Sequence, residues 1–214
     1  MDVAISRIHF PVTTLGPGRR VGLWLQGCSI RCPGCISVDT WETGIGLVPL
    51  ADVVEGLGLL ALEADGLSVS GGEPFEQPDA LARILTAWRD FSAGSVLIFT
   101  GREFDEVKPW LEANPGLVDA LMTGPFRSDL PQRLALRGSD NQELHLLTPR
   151  GEEFRTFERP RTGADRRLDV MFDGDGNAWM AGITARGDVG RLRRSLASAG
   201  HRAQTSDRGG RPVR

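Results

Sequence analysis

The stretch GLWLQGCSIRCPGCISVDTWE, residues 22–42, holds all three cysteines of the chain, Cys28, Cys32 and Cys35. Three thiols cannot all be paired within one chain, and nothing in the sequence directs it out of a reducing compartment. The N-terminus MDVAISRIHF lacks the basic start and apolar run of a secretory signal, and no apolar stretch approaches the ~18 residues of a membrane-spanning helix. A cytoplasmic protein without a disulfide framework is therefore expected. The spacing C-x3-C-x2-C lets three thiolates converge on one small inorganic centre. Structural zinc and closed iron-sulfur clusters take four protein ligands, whereas three cysteines on a [4Fe-4S] cubane leave one iron open to an exogenous ligand. Gly27 and Gly34 would let backbone amides approach the cluster sulfurs. Two alternatives stay open: unligated thiols serving as packing, and zinc with His9, His145 or His201 as a distant fourth ligand, none at local ligand spacing.

Outward from the cysteines, apolar runs alternate with helical periodicity. Strands are expected at VGLWLQ (21–26), GLSVS (66–70), SVLIFTG (95–101) and LVDALMTG (117–124). Helices are expected from Pro49 through PLADVVEGLGLLALEAD, weakened by Gly56 and Gly58, at DALARILTAWRDF (79–91) behind Pro78, and at EFDEVKPWLEA (103–113). Alternation of this kind implies parallel strands joined by right-handed crossovers. QELHLL (142–147) reads as a further strand, and DGDGN inside LDVMFDGDGNAWMAGI (168–183) as a hairpin signal. The cysteine loop, GGEP, Thr100-Gly101 and Thr123-Gly124-Pro125 each follow a strand, which puts all four at the carboxyl edge, where α/β proteins place their sites.

SGGEP, residues 70–74, is the second chemical element. Its glycines allow a ligand to meet main-chain groups, and Glu73 offers a carboxylate to an amine or to neighbouring amides. By itself the motif could be a turn; one strand after a cysteine triplet it is far more specific. Asp39 and Glu42 read as a helix start, and Trp24, Trp88 and Trp110 as core. The 214 residues carry a net charge of -3, with 40% hydrophobic and 25% charged residues, an ordinary globular balance giving no general reason to expect nucleic acid. The exception lies at the end, where residues 191–214 contain seven arginines against the single acid Asp207. Residues 1–190 are expected to form one domain, and 191–214 an arginine-rich extension, a helix end and then, from about residue 200, a flexible tail.

With GPGRRVGLWLQGCSIRCPGC, TWE, SGGEP, FTGREFDEV, VDALMTGPF, LRGSDNQ and the closing AGI, the chain resembles the radical S-adenosylmethionine (SAM) superfamily, and within it the activating enzymes of glycyl radical enzymes. The likeness extends over about residues 16–183 and is greatest to activators of anaerobic ribonucleoside-triphosphate reductase, with those of pyruvate formate-lyase as relatives. It implies an incomplete, TIM-like barrel of parallel strands and helices with a C-terminal β-hairpin. Cys28, Cys32 and Cys35 would hold a [4Fe-4S] cluster, Gly71, Gly72, Glu73 and Pro74 would secure SAM, and Ser139 and Asn141, in a loop with Arg137, Gly138 and Gln142, would add SAM contacts. Reductive cleavage of SAM would yield a 5′-deoxyadenosyl radical that takes hydrogen from a glycine of a partner. That partner is expected to be a glycyl radical enzyme such as an anaerobic ribonucleotide reductase, with flavodoxin or ferredoxin as electron donor and neither membrane nor nucleic acid involved. This chain has Gly34 where many superfamily members carry an aromatic, and Thr123-Gly124-Pro125-Phe126 where the reductase activators often have Asp-Gly. Two competing functions remain: a radical SAM enzyme acting on a peptide or small metabolite, and a non-catalytic module stabilised by zinc or a cluster.

Overall fold

The computed structural model describes residues 1–172, 178–185 and 187–201. Strands β1 (Asp2–Val12), β2 (Arg20–Leu25), β3 (Leu47–Pro49), β4 (Gly66–Gly71), β5 (Ser95–Phe99), β6 (Ala120–Thr123) and β7 (Glu143–Leu146) form one sheet, in the order β3-β1-β2-β4-β5-β6-β7. The four central strands, β2, β4, β5 and β6, are parallel, and their near-continuous apolar runs suit strands buried on both faces. The sheet ends antiparallel on both sides, where β1 pairs with β2 and β3, and β7 with β6. Strands β8 (Asp169–Phe172) and β9 (Ala178–Ala181) pair antiparallel as expected; the DGDGN turn between them lies outside the described residues, as does everything from residue 202 onward.

Side chains alternate across the sheet. Val21, Leu23 and Leu25, Leu67 and Val69, Val96 and Ile98, and Leu121 meet helices α1 (Leu50–Ala61), α2 (Pro78–Phe91) and α3 (Phe104–Ala113) in one core. Helix α1 forms despite its glycines because Leu50, Val53, Leu57 and Ala61 recur at helical spacing on the buried side. In α2, Gln77 takes the cap position, Pro78 the first turn, and Asp79 follows as a first-turn acid. Among the described residues the opposite face of the sheet has no such helix layer. There Trp24 packs with Met171 and Ala181 of the hairpin, and Leu97 and Met122 pack with Phe154 of the 3-10 segment Pro149–Phe157.

Strand β1 was not expected, and the strand expected at 117–124 is shorter, covering Ala120–Thr123. The preceding residue, Asp119, is fully buried and turned to another purpose. It accepts hydrogen bonds from Thr148 Oγ1 (2.5 Å), Arg89 Nη2 (2.5 Å), the Val96 amide (2.8 Å) and Arg150 Nε (3.2 Å). At the same amino-terminal edge the fully buried guanidinium of Arg20 donates to Ser68 Oγ, Ser95 Oγ and the carbonyls of Pro17, Leu67 and Ser95, which ties β2 to β4 and β5. Burial lowers its pKa to about 10, so it remains a cation near neutrality, held mainly by neutral dipoles.

Burial pushes the Asp119 carboxyl upward, but its donors outweigh this and hold it below the usual carboxylate range. A depressed folded pKa contributes stability above the unfolded value of ~3.9 and loses it as pH falls through the folded value. Asp119→Asn should therefore cost about 3 kcal/mol at neutral pH and show a flatter loss of stability below pH ~4 than the parent. Urea unfolding across that range is the measurement, and equal acid slopes would contradict the assignment.

Candidate active site

At the carboxyl ends of β2, β4, β5 and β6 lies a cavity of about 420 Å³, of the size that holds small ligands and cofactors. Cys28, Cys32 and Cys35 line it, together with Ser70, Gly71, Gly72 and Glu73, and with Thr100 and Gly101 after β5. Thus the four loops expected at this edge do meet. Pro74 is buried beneath the wall at the start of a 3-10 turn, Pro74–Glu76, where it positions Glu73 as the cap.

The cysteine loop is held from both sides. The amides of Gly27 and Cys28 donate to the carbonyls of Thr40 and Trp41, and Gln26 Nε2 donates to those of Asp39 and Glu42, which folds the segment after the thiols back onto the end of β2. Asp39 lies within a 3-10 turn, Val38–Thr40, and pairs with Arg7 at 2.7 Å; that guanidinium lies 5.3 Å from the Trp24 ring and 4.6 Å from Trp179. Gly27 and Gly34 take φ values of 100° and 80°, and Arg31 holds 48°, a conformation that costs a non-glycine residue free energy. The Ser37 amide donates to Cys35 Sγ at 3.4 Å.

The GGEP loop joins this assembly through its backbone. The Gly72 amide donates to Leu25 O and the Glu73 amide to Gly27 O, both at 2.8 Å. No side chain fits at Gly72, where a Cβ would stand 2.0 Å from Gly27 O. The Glu73 carboxylate is 1% exposed and accepts from Thr100 Oγ1 (2.7 Å), the Gly101 amide (2.9 Å) and the Phe75 amide (3.1 Å). Burial raises its pKa against these donors, whose pull is the reverse. Glu73 thereby fastens the loop after β4 to the loop after β5.

Electrostatics define what the cavity can accept. Burial pushes all three thiols above their ordinary range, most of the opposing help coming from backbone amides. Among the described residues that line the cavity, Glu73 is the one charged side chain; Arg102, outside the lining, comes within 4.0 Å of its carboxylate, and Arg31, between the first two cysteines, meets the Cys28 thiol through its backbone. Thiolates would need a cation from outside the protein, as an iron-sulfur core provides. The amine and sulfonium of SAM likewise suit a wall whose fixed charge is negative. Such a wall fits the cluster and SAM. It fits zinc with a histidine less well: His145 stacks on Phe104 and meets Thr123, and neither it nor His9 nor His201 lines the cavity. Among the described residues no three His, Cys, Asp or Glu side chains converge as ligands of a single ion would.

Ser139 and Asn141 stand behind the wall. Ser139 Oγ accepts from the Arg127 amide and donates to Asn141 Oδ1, while Asn141 Nδ2 donates to Pro125 O. Arg137 is buried against Glu158 and three backbone carbonyls. Of this loop, Gly138 and Gln142 reach the cavity, joined by Phe126, Ser128, Gln132 and Leu136. Residues of 182–185 and 187–190 supply another side of it that sequence reasoning missed; the clustered glycines of AGIT and GDVG were the available signal.

Residues 14–145 match the family described as a 4Fe-4S single cluster domain. The chain belongs to that family. It is 31% identical over 148 residues to the anaerobic ribonucleoside-triphosphate reductase-activating protein of Salmonella typhimurium, a match covering 65% of this chain and 96% of the relative. The protein of the same name from Enterobacteria phage T4 is 33% identical over 134 residues, 60% of this chain and 85% of its own. The pyruvate formate-lyase-activating enzyme of Listeria monocytogenes is 36% identical over 95 residues, 40% of this chain and 38% of the relative. Domain and relatives together make this single-cluster protein a radical SAM oxidoreductase of the glycyl radical enzyme-activating type, with a [4Fe-4S] cluster and SAM as cofactors.

If the backbone contact between Gly72 and Gly27 fixes the relation of the two loops, Gly72→Ala should lower the thermal midpoint of the cofactor-free protein by several degrees, as a cost of about 1–3 kcal/mol would. It should also speed alkylation of the cysteines by iodoacetamide, because the thiol loop must shift. An unchanged midpoint with unchanged alkylation, read by mass spectrometry, would show that the contact is slack.

Proposed function

We propose that this protein installs a glycyl radical on an anaerobic ribonucleoside-triphosphate reductase, with Cys28, Cys32 and Cys35 as the ligands of its [4Fe-4S] cluster. The observation that carries this reading is that the three thiols and the GGEP loop line one cavity whose single charged wall residue is Glu73. Held by Cys28, Cys32 and Cys35 and reduced, the cluster would supply the electron for reductive cleavage of SAM, the chemistry needed to take hydrogen from the partner's glycine.

The residues of the chain bind, orient and exclude. Gly71 and Gly72 bring main chain to the ligand without side-chain bulk, and Glu73 secures the amine end of SAM both by its charge and by fixing the glycines. Pro74 holds Glu73 in its cap position, while Ser139 and Asn141 act from behind by bracing residues 124–127. Ile30, Phe99, Phe126 and Ile183 line the cavity with apolar surface that keeps water and other hydrogen donors from the reacting centre.

The sheet serves in this reading as an incomplete barrel. Its support is the one-sided arrangement of α1, α2 and α3, with the cavity on the carboxyl edge of the parallel strands. The open side admits a loop of the partner. In this reading flavodoxin or ferredoxin supplies the electron, as the resemblance implies, and the cytoplasm is the setting; no described helix is long and apolar enough to cross a membrane.

Anaerobically reconstituted, dithionite-reduced protein should form 5′-deoxyadenosine from SAM and, with the reductase present, an electron paramagnetic resonance doublet on the reductase. Cys32→Ala should abolish both. Product without a doublet would redirect the reading toward another hydrogen donor, and product from the alanine variant would remove Cys32 from the ligand set.

A further inference from the structure

The described residues end in helix α4 (Asp188–Ser198), well beyond residues 14–145 that match the family. The Salmonella relative is matched along 96% of its length by only 65% of this chain, so about a third of this chain is additional. The additional part is built into the site. Asp169 of β8 accepts from the amides and hydroxyls of both Thr13 and Thr14, Trp179 of β9 stacks on Arg7, and Gln132 Nε2 donates to Thr184 O. Thus anchored, the chain leads into α4, whose first turn faces the cavity through Val189 and Gly190, with Gly187 just before it.

Past that first turn the helix is basic, with Arg191, Arg193 and Arg194 against Asp188. Two of the guanidiniums lie over the glycines that line the cavity: a Cβ on Gly187 would stand 3.7 Å from Arg191 Nη1, and one on Gly190 3.6 Å from Arg194 Nη1. Arg191 pairs with Asp188 but keeps 59% of its side chain exposed, Arg194 is exposed, and Leu192 between them is 37% exposed. The rim thus presents cations and an apolar side chain to whatever approaches, whereas the wall inside carries only Glu73. Arginine on a rim suits carboxylate partners, through its fork of donors and its weak hydration.

We propose that α4 is the docking surface for an acidic face of the protein whose glycine enters the cavity, with Arg191 and Arg194 engaging carboxylates beside the delivered loop. This rests on the reading given under Proposed function. Because the helix lies outside the family's matched residues, it sets which partner this chain accepts rather than the chemistry it performs.

The test measures association of the reconstituted full chain with the anaerobic ribonucleoside-triphosphate reductase as ionic strength is raised, for the parent, R191E/R194E and R191K/R194K, with glycyl radical yield followed in parallel. The parent should associate more slowly as salt rises, and the glutamate pair should be slower by roughly tenfold or more at low salt, converging on the parent at high salt. The lysine pair, which keeps the charge, should stay near the parent. If the glutamate pair melts early, R191Q/R194Q and the salt dependence of the parent decide in its place. Parent-like association of the charge-altered variant, or association indifferent to salt, overturns the docking surface while radical formation by the parent leaves the function standing. Failure of the parent to bind or activate the reductase overturns both. Arginine-dependent binding of a single-stranded oligonucleotide, with reductase association untouched, overturns the proposal in favour of nucleic acid.

Discussion

One buried carboxylate holds the cavity together. Glu73 sits where the loops after β4 and β5 converge, and its oxygens accept from Thr100, Gly101 and Phe75, while its own amide donates to Gly27 beside the first cysteine. Three loops that are separate in sequence thereby become one wall. A charge in so dry a position is tolerable only because donors surround it, so the local fold and the negative character of the cavity have the same cause. That character in turn bears on what can enter: among the described residues no cationic side chain lines the cavity, so positive charge inside it would come from the cofactors.

The asymmetry of the sheet follows from period-two alternation in its central strands. One set of apolar side chains meets three helices; the other set, with Trp24, Leu97, Phe99 and Met122, meets the hairpin and Phe154. Arg20 and Asp119, both fully buried, bind the amino-terminal edge with dense hydrogen bonding. The carboxyl edge is left free to be shaped by glycines. Strand register is thus secured at one end of the sheet and ligand space is opened at the other.

The central strands and their helices were legible because apolar runs and helical periodicity are local signals, and the site was legible where residue type is itself chemistry, in the cysteine triplet and GGEP. Strand β1 was hidden: it runs antiparallel to both its neighbours, carries Arg7, His9 and Pro11 among its apolar positions, and pairs with β2 through register irregularities that blur alternation. Gly138 and Gln142 of the loop 137–142 line the cavity, whereas Ser139 and Asn141 bond to Arg127 and Pro125, a division made by tertiary hydrogen bonding that a linear sequence does not display. Likewise nothing local joins Asp169 to Thr13 across 156 residues.

That last link bears on the order in which the molecule is made. The cysteine loop draws on backbone as far along as Phe126, which meets the Cys32 thiol, whereas the wall formed by residues 182–185 and 187–190 comes from still later positions. The side of the cavity made latest in translation is therefore the one that Asp169 ties back to Thr13 and Thr14.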